Sequence, residues 1–160
     1  LYCQVWQEPP WNENFWQPDQ VVEDFKREMS NPDAEAFLAV QEGMVVGFTQ
    51  GYSVSQAELR EIAGNSLLDF LFVGKERVYY VDELAVKASC RGQRLSLQLS
   101  QALLEQIGIR GISYVVLRTD VLALAARHVY RELGSQELPV HDAKYPSRTY
   151  WGLGLDRFVL

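Results

Sequence analysis

The hydrophobic and polar positions change period several times along the chain. "EAFLAVQEGMVVGFTQGYSV" holds two apolar, strand-like runs on either side of Glu42-Gly43 and predicts a β-hairpin. "RVYYVDELAVKA" (77–88) is aromatic and β-branched in its first half and predicts a further strand. "GISYVVLRT" (111–119) is a continuous apolar run, as expected of a strand covered on both faces. Helical spacing takes over elsewhere. Leu95, Leu99, Ala102, Leu103 and Ile107 form a stripe over about Gln93 to Gly108. Leu122, Ala126, Val129 and Leu133 form another within 120–134, with Gly134 as its terminator.

The flanking segments complete the pattern. "LYCQVW" reads as the end of a helix that Pro9 and Pro10 stop, and "EPPWNENFW" as an aromatic connection. "PDQVVEDFKREMSNP" predicts a helix with Asp19 as N-cap and Val22, Phe25 and Met29 on one face. "SQAELREIAGNSLLDFLF" is a mostly helical insertion within 53–76, broken at Gly64-Asn65, of the kind that covers a pocket. "SRTYWGLGLDRFVL" supplies a final strand, and an exposed strand there would offer an edge to a second copy in a homodimer. The order predicts an α/β fold: a mixed sheet, parallel across the middle strand–helix–strand unit, antiparallel before it, with helices on both faces. With no repeat and no linker, a single domain over 1–160 is expected.

Composition narrows the function classes. At 160 residues and 48% hydrophobic, the chain can bury one sizeable core. No run approaches the roughly 18 apolar residues of a membrane helix, so no membrane partner is expected. A net charge of −6 argues against nucleic acid and suits a cationic substrate drawn in by the field. Cys3 and Cys90 lie far apart and there are two histidines, so no metal site is expected. The first residues lack a basic start followed by an apolar segment; a reduced, cytoplasmic protein is the expectation.

Candidate chemistry concentrates in "SCRGQRLSLQLSQALLEQ" (89–106), a basic, glycine-containing turn leading into a helix. A helix N-terminus offers unpaired N–H groups and partial positive charge, which suits pyrophosphate. Gly92 lets backbone approach a ligand; Arg91 and Arg94 add charge. "ELAVKASCRGQRLSLQLSQALL" resembles the acyl-CoA turn of the GNAT superfamily of N-acetyltransferases, where Arg or Gln is followed by two free positions, Gly, one free position, then Gly or Ala. Arg91 matches the first place, Arg94 stands on the Gly, and Ser96 on the Gly or Ala. "ELAV", "LRTD" and "AARHVYRELG" resemble neighbouring blocks of that family, with Ala123 where Asn is usual and Ser135 where Phe is usual. The resemblance implies a GNAT-like fold, its first strand falling before Leu1, and acetyl-CoA as co-substrate. It assigns Arg91, Gly92, Gln93, Arg94, Leu95 and Ser96 to the diphosphate, and the backbone of Leu84, Ala85 and Val86 to the pantetheine arm and oxyanion.

Acyl transfer to an amine needs a base for the amine proton and an acid for the departing thiolate. The resemblance sets Tyr130 beside the sulfur as the acid, and its spacing takes it off the core stripe; the alternative is an aromatic packed on the sheet. Glu83 is the candidate base, and a structural carboxylate is the alternative. Asp82 points to the opposite face in a regular strand, unless a bulge intervenes. Trp11, Asp142 and Tyr145, in connections that line the acceptor side in relatives, are candidates to cradle a cation, as is Asp82. His128 reads as a surface residue and Cys90 as a small buried thiol. The expected function is acetyl transfer to a primary amine of a small cationic molecule, aminoglycoside-like or polyamine-like, or of a peptide. The alternatives are a degenerate, non-catalytic acyl-CoA-binding or regulatory module, favoured by Arg94 and Ala123, and an α/β interaction domain without a CoA site.

Overall fold

Glu42 and Gly43 both take positive φ, 51° and 77°, the pair of left-handed residues that closes a two-residue hairpin. They join strand β1 (Glu35–Gln41) to β2 (Met44–Val54), with Gln41 opposite Met44. The computed structural model describes residues 1–67, 78–140, 142 and 144–155. Strands β3 (Val78–Val86), β4 (Tyr114–Asp120), β5 (Gln136–Glu137) and β6 (Arg148–Gly154) extend the hairpin into one sheet of order β1-β2-β3-β4-β6-β5. The β3–β4 pair is parallel and the others are antiparallel, as the element order predicts.

Alternation along the strands divides the interior. Tyr79, Val81, Val115, Leu117, Trp151 and Leu153 face one way, against helices α4 (Leu95–Ile109) and α5 (Leu124–Glu132). Val54, Val78, Tyr80, Val116 and Tyr150 face the other, against Leu59 and Ala63 of α3 (Gln56–Ala63) and against Leu67. Helices therefore cover both faces. Ser55 caps α3: its Oγ accepts from the Glu58 N–H, and the Glu58 carboxylate accepts from the Ser55 N–H. Helices α1 (Tyr2–Trp6) and α2 (Pro18–Glu28) lie on the α3 side, where the Tyr2 ring stacks on Phe48 of β2. Among the described residues no helix is long and apolar enough to cross a membrane.

Local chemistry moved several expected features. The cap of α2 is Gln17, not Asp19, because Pro18 occupies the first helical position, where its fixed φ and missing N–H cost nothing. Val22 and Phe25 are half exposed on α2 rather than buried. Leu122 is 71% exposed and precedes α5: its N–H donates to Asp120 Oδ1, which holds it in a turn. The final strand is not a free edge, since β6 lies between β4 and β5, with Glu137 opposite Trp151. The end of the predicted insertion, 68–77, and residues 156–160 lie outside the described residues.

Candidate active site

The middle strands part company. Pairing between β3 and β4 covers Tyr79–Val115, Tyr80–Val116 and Val81–Leu117 and stops there. Beyond Val81, β3 runs on to Val86 with no partner on that side among the described residues. The backbone of Asp82 to Val86 thus lines a cleft. The register against β2 changes at the same place. Gln50 pairs with Glu83 but Gly51 pairs with Val81, so Asp82 is the extra residue of a β-bulge. Gly51 makes the bulge possible: a Cβ there would lie 2.6 Å from both Tyr79 Cε1 and the Tyr80 carbonyl oxygen.

The bulge puts two consecutive carboxylates on one face. Asp82 Oδ2 accepts from Tyr52 Oη at 3.0 Å, and Glu83 Oε1 accepts from Tyr2 Oη at 2.7 Å. Asp82 therefore does not take the opposite face that a regular strand would give it. Burial raises the Glu83 carboxyl well above the usual carboxylate range, and the neighbouring Asp82 charge adds to this. Burial raises Asp82 too, opposed by the Tyr52 hydroxyl and the Arg118 charge. The Glu83 main chain is fixed by Thr49, whose Oγ1 donates to its carbonyl at 2.9 Å.

Tyr130 approaches the cleft from α5. It is not off the core stripe, as its spacing suggested, but is the buried residue of its helix, with its ring edge-to-face against Trp151 at 5.8 Å. Ala126, Val129 and Leu133 pack on the core as expected and Tyr130 joins them, while Leu122 precedes the helix and is exposed. The Tyr130 hydroxyl lies 3.5 Å from the Arg118 carbonyl, on the part of β4 that has left β3. Burial raises its pKa above that of an ordinary phenol, and the Glu83 charge contributes.

The basic turn keeps a glycine-like path without its second glycine. Gly92 has φ 76°, and Arg94, the N-cap of α4, has φ 60° and ψ 15°, the left-handed region that glycine favours. No hydrogen bond among the described residues takes the amides of Gly92, Gln93, Arg94, Leu95, Ser96 or Leu97, and no side chain caps the helix. A Cβ on Gly92 would meet nothing within 4 Å, so the turn faces open space. The Arg94 guanidinium leaves the turn for Glu132 of α5, 3.8 Å away, and stays largely exposed. Arg91 is committed differently from expectation: its Nε donates to the Val86 carbonyl at 3.0 Å and its head pairs with Glu8 at 2.6 Å. The Val86 carbonyl is thus taken by the turn itself. An array of free amides with one mobile guanidinium beside it fits a diphosphate.

The residues expected on the acceptor side do not converge. The Trp11 ring carries the Arg148 guanidinium at 4.4 Å. Asp142 is buried and spends both oxygens at home: Oδ2 accepts from Tyr150 Oη at 2.6 Å, and Oδ1 from the N–H groups of Lys144 and Tyr145. These bonds and Arg118 hold its pKa down. Tyr145 is exposed. His128 is a surface residue and Cys90 a buried thiol, as expected. The groups near Glu83 are instead Tyr2, Gln50 and Glu28. Gln50 Nε2 donates to Glu28 Oε2 at 2.6 Å, and burial and Asp82 push Glu28 up to about 7. Gln50 was legible as a polar residue at an inward position of an apolar strand; Tyr2 and Glu28 carried no such signal.

A splayed parallel strand pair with an amide-rich turn following it defines the class: an acyl-CoA N-acyltransferase fold. The model of the Acetyltransferase (GNAT) family matches residues 2–135, and the chain belongs to that family. Its enzymes are N-acetyltransferases with acetyl-CoA as acyl donor. The structure resembles aminoglycoside 6'-acetyltransferase type Ii, with 18% identity, a TM-score of 0.66, and coverage of 97% of this chain and 85% of that one. It also resembles a GNAT-family acetyltransferase from Staphylococcus aureus Mu50, with 14% identity, TM-score 0.67, and coverage of 97% and 89%. Arabidopsis thaliana NAA60, solved with a bisubstrate analogue, is similar at 15% identity, TM-score 0.62, and coverage of 82% and 81%. At these identities the likeness is one of fold. No curated protein sequence is a significant match.

Proposed function

We propose that this acetyltransferase acts on a primary amine of a small cationic molecule, with Glu83 as base and Tyr130 as acid. The observation that carries the reading is the bulge, which sets two partly buried carboxylates at the mouth of the strand cleft, with a third, Glu28, beside them. Such a cluster attracts an ammonium and repels anionic acceptors. Acetyl-CoA, when bound, supplies an activated acyl group. The amides of Gly92 to Leu97 would hold its diphosphate, and the open edge of β3 at Leu84 and Ala85 its pantetheine arm.

The remaining chemistry belongs to the protein. An attacking amine must lose a proton, and Glu83 can take it at Oε2, which accepts no hydrogen bond among the described residues, while Oε1 stays bonded to Tyr2. A raised pKa makes Glu83 a stronger base than a surface carboxylate. Tyr130 keeps its proton through neutral pH because burial disfavours the phenolate, so it has one to give to a departing sulfur. Release of free CoA thiol with a panel of aliphatic amines, aminoglycosides and short peptides tests the reading. Tyr130→Phe is expected to lower kcat about 10- to 100-fold with KM for acetyl-CoA little changed. Full activity in that variant would remove Tyr130 from the mechanism.

A further inference from the structure

Next to Glu83, on the side of the sheet covered by α1 and α2, lies a cavity of about 50 Å³. Tyr2, Trp16, Phe25 and Phe48 wall it, and Asp24, Glu28 and Gln50 bring polar atoms to it. Gln50 is 3% exposed, in the interior of β2. Its amide nitrogen is used by Glu28, but its Oε1 is buried with no partner. A buried carbonyl without a donor costs about 1–3 kcal/mol, so native sites that keep one usually await a donor. Arg27, next to Glu28 on α2, does not supply it: its guanidinium pairs with Asp24 at 2.7 Å. Among the described residues no group of His, Cys, Asp and Glu is arranged to hold a metal ion.

The shape and chemistry select the missing group. The volume exceeds the roughly 10–15 Å³ that a single water needs, so the cavity has room for a small polar group. An ammonium on a methylene fits. It carries three donors and no acceptor, which suits the Gln50 carbonyl oxygen and the Glu28 carboxylate together. Tyr2 stands edge-on to Trp16 at 5.4 Å and stacks on Phe48, so the aromatic wall is held in place. This group is not the reacting nitrogen. A pocket that binds by negative charge keeps the proton on an amine, whereas the attacking amine must lose it. Gln50 faces Glu83 directly across the β2–β3 ladder, where paired side chains start about 5 Å apart. The Tyr2 ring lines the cavity while its hydroxyl rests on Glu83. Tyr2 and Gln50 thus each adjoin both the cavity and Glu83.

We infer that the cavity is a second cation subsite, which holds the distal ammonium of a short aliphatic diamine while its other nitrogen is acetylated beside Glu83. The inference rests on the acetyl-transfer reading, and the two are tested apart. Calorimetric titration of the CoA-bound protein with putrescine and with butylamine reads the subsite without turnover. Putrescine is expected to bind about 10- to 100-fold more tightly, the range of one charge-assisted, buried contact. Glu28→Gln, which keeps the side-chain volume and removes a partly buried charge and so does not threaten folding, should bring the preference below about 3-fold. Gln50→Met, of similar volume, should reduce it as well. Equal binding of the two amines, or a preference that survives Glu28→Gln, overturns the subsite. Thiol release is measured separately; its absence with every amine counts against acetyl transfer and leaves the titration to decide the subsite.

Discussion

Arg94 occupies a backbone position that glycine would fill at no steric cost, and replacing it separates backbone geometry from charge. Its φ of 60° costs an L-residue roughly 1–2 kcal/mol. Arg94→Gly relieves that cost. It also loses an exposed pair with Glu132 worth about 0–1 kcal/mol, and gains unfolded-state entropy worth about 0.5–1 kcal/mol. These terms nearly cancel, so Tm should move by less than about 4 °C. The amides of Gly92 to Leu97 keep their directions. Loss of the guanidinium alone should weaken CoA about 3- to 10-fold and flatten the salt dependence of binding.

Arg94→Val does the opposite. A β-branched residue is a severe misfit in the left-handed region, so the turn must rotate and misdirect its amides. Each amide–phosphate bond lost costs about 1.5–3 kcal/mol, and CoA affinity should fall about 100-fold or more. Calorimetry with CoA at two salt concentrations measures both variants. Equal affinities for Arg94→Gly and Arg94→Val would refute the claim that turn geometry, not the arginine, carries binding. A tenfold gain in Arg94→Gly would show the side chain to be an obstruction.

Three further outcomes follow from the site. Gly51→Ala forces a Cβ against Tyr79 and the Tyr80 carbonyl; it should cost about 1–3 kcal/mol in urea unfolding and depress kcat as the Asp82 bulge shifts. Glu83, ionised only above a raised pKa, should give kcat/KM an acid limb at higher pH than an ordinary carboxylate would, and Glu83→Gln should abolish that limb along with most activity. Glu28 ionises near 4.5 when unfolded but near 7 when folded, so the folded state holds the extra proton between those values and loses stability as pH rises through them. Glu28→Gln should therefore match the wild type below pH 4.5 and exceed it at pH 8, by about 1 kcal/mol once solvent screening of a half-exposed group is allowed for, or 2–4 °C in thermal melts.

The parts of the fold that depend on local pattern could be read from residues. A glycine-containing dipeptide, Glu42-Gly43, between two apolar runs signals a hairpin, and a continuous apolar run such as 111–119 signals a strand covered on both faces. The nine residues of β3 read as a strand, and the basic turn as a helix start. What escaped was set by partners distant in sequence. Arg91 looked like a phosphate ligand because nothing near it in the chain announces Glu8 or the Val86 carbonyl. Asp142 looked available because Tyr150 and Arg118 reach it only through the sheet. Leu122 looked like part of the core stripe because nothing local shows that an Asx turn at Asp120 delays the helix until Leu124, and Tyr130 was read as off a stripe that it in fact joins.

The bulge at Asp82 shows why such a site resists a purely periodic reading. Alternation would split Asp82 and Glu83 between the two faces, leaving one carboxylate in each core. Both would then be buried without compensation, which an apolar interior does not tolerate. One extra residue in β3 moves the pair to the same side, where Tyr52 and Tyr2 each supply a hydroxyl. The same residue lies where β3 ends its ladder with β4, so the element that gathers the carboxylates also marks the mouth of the cleft they serve. What permits it is the absence of a side chain: Gly51, on the neighbouring strand, makes room for Tyr79 and the Tyr80 carbonyl. A glycine inside an apolar strand is thus the one local signal of the arrangement, and it marks a close backbone approach before it marks any chemistry.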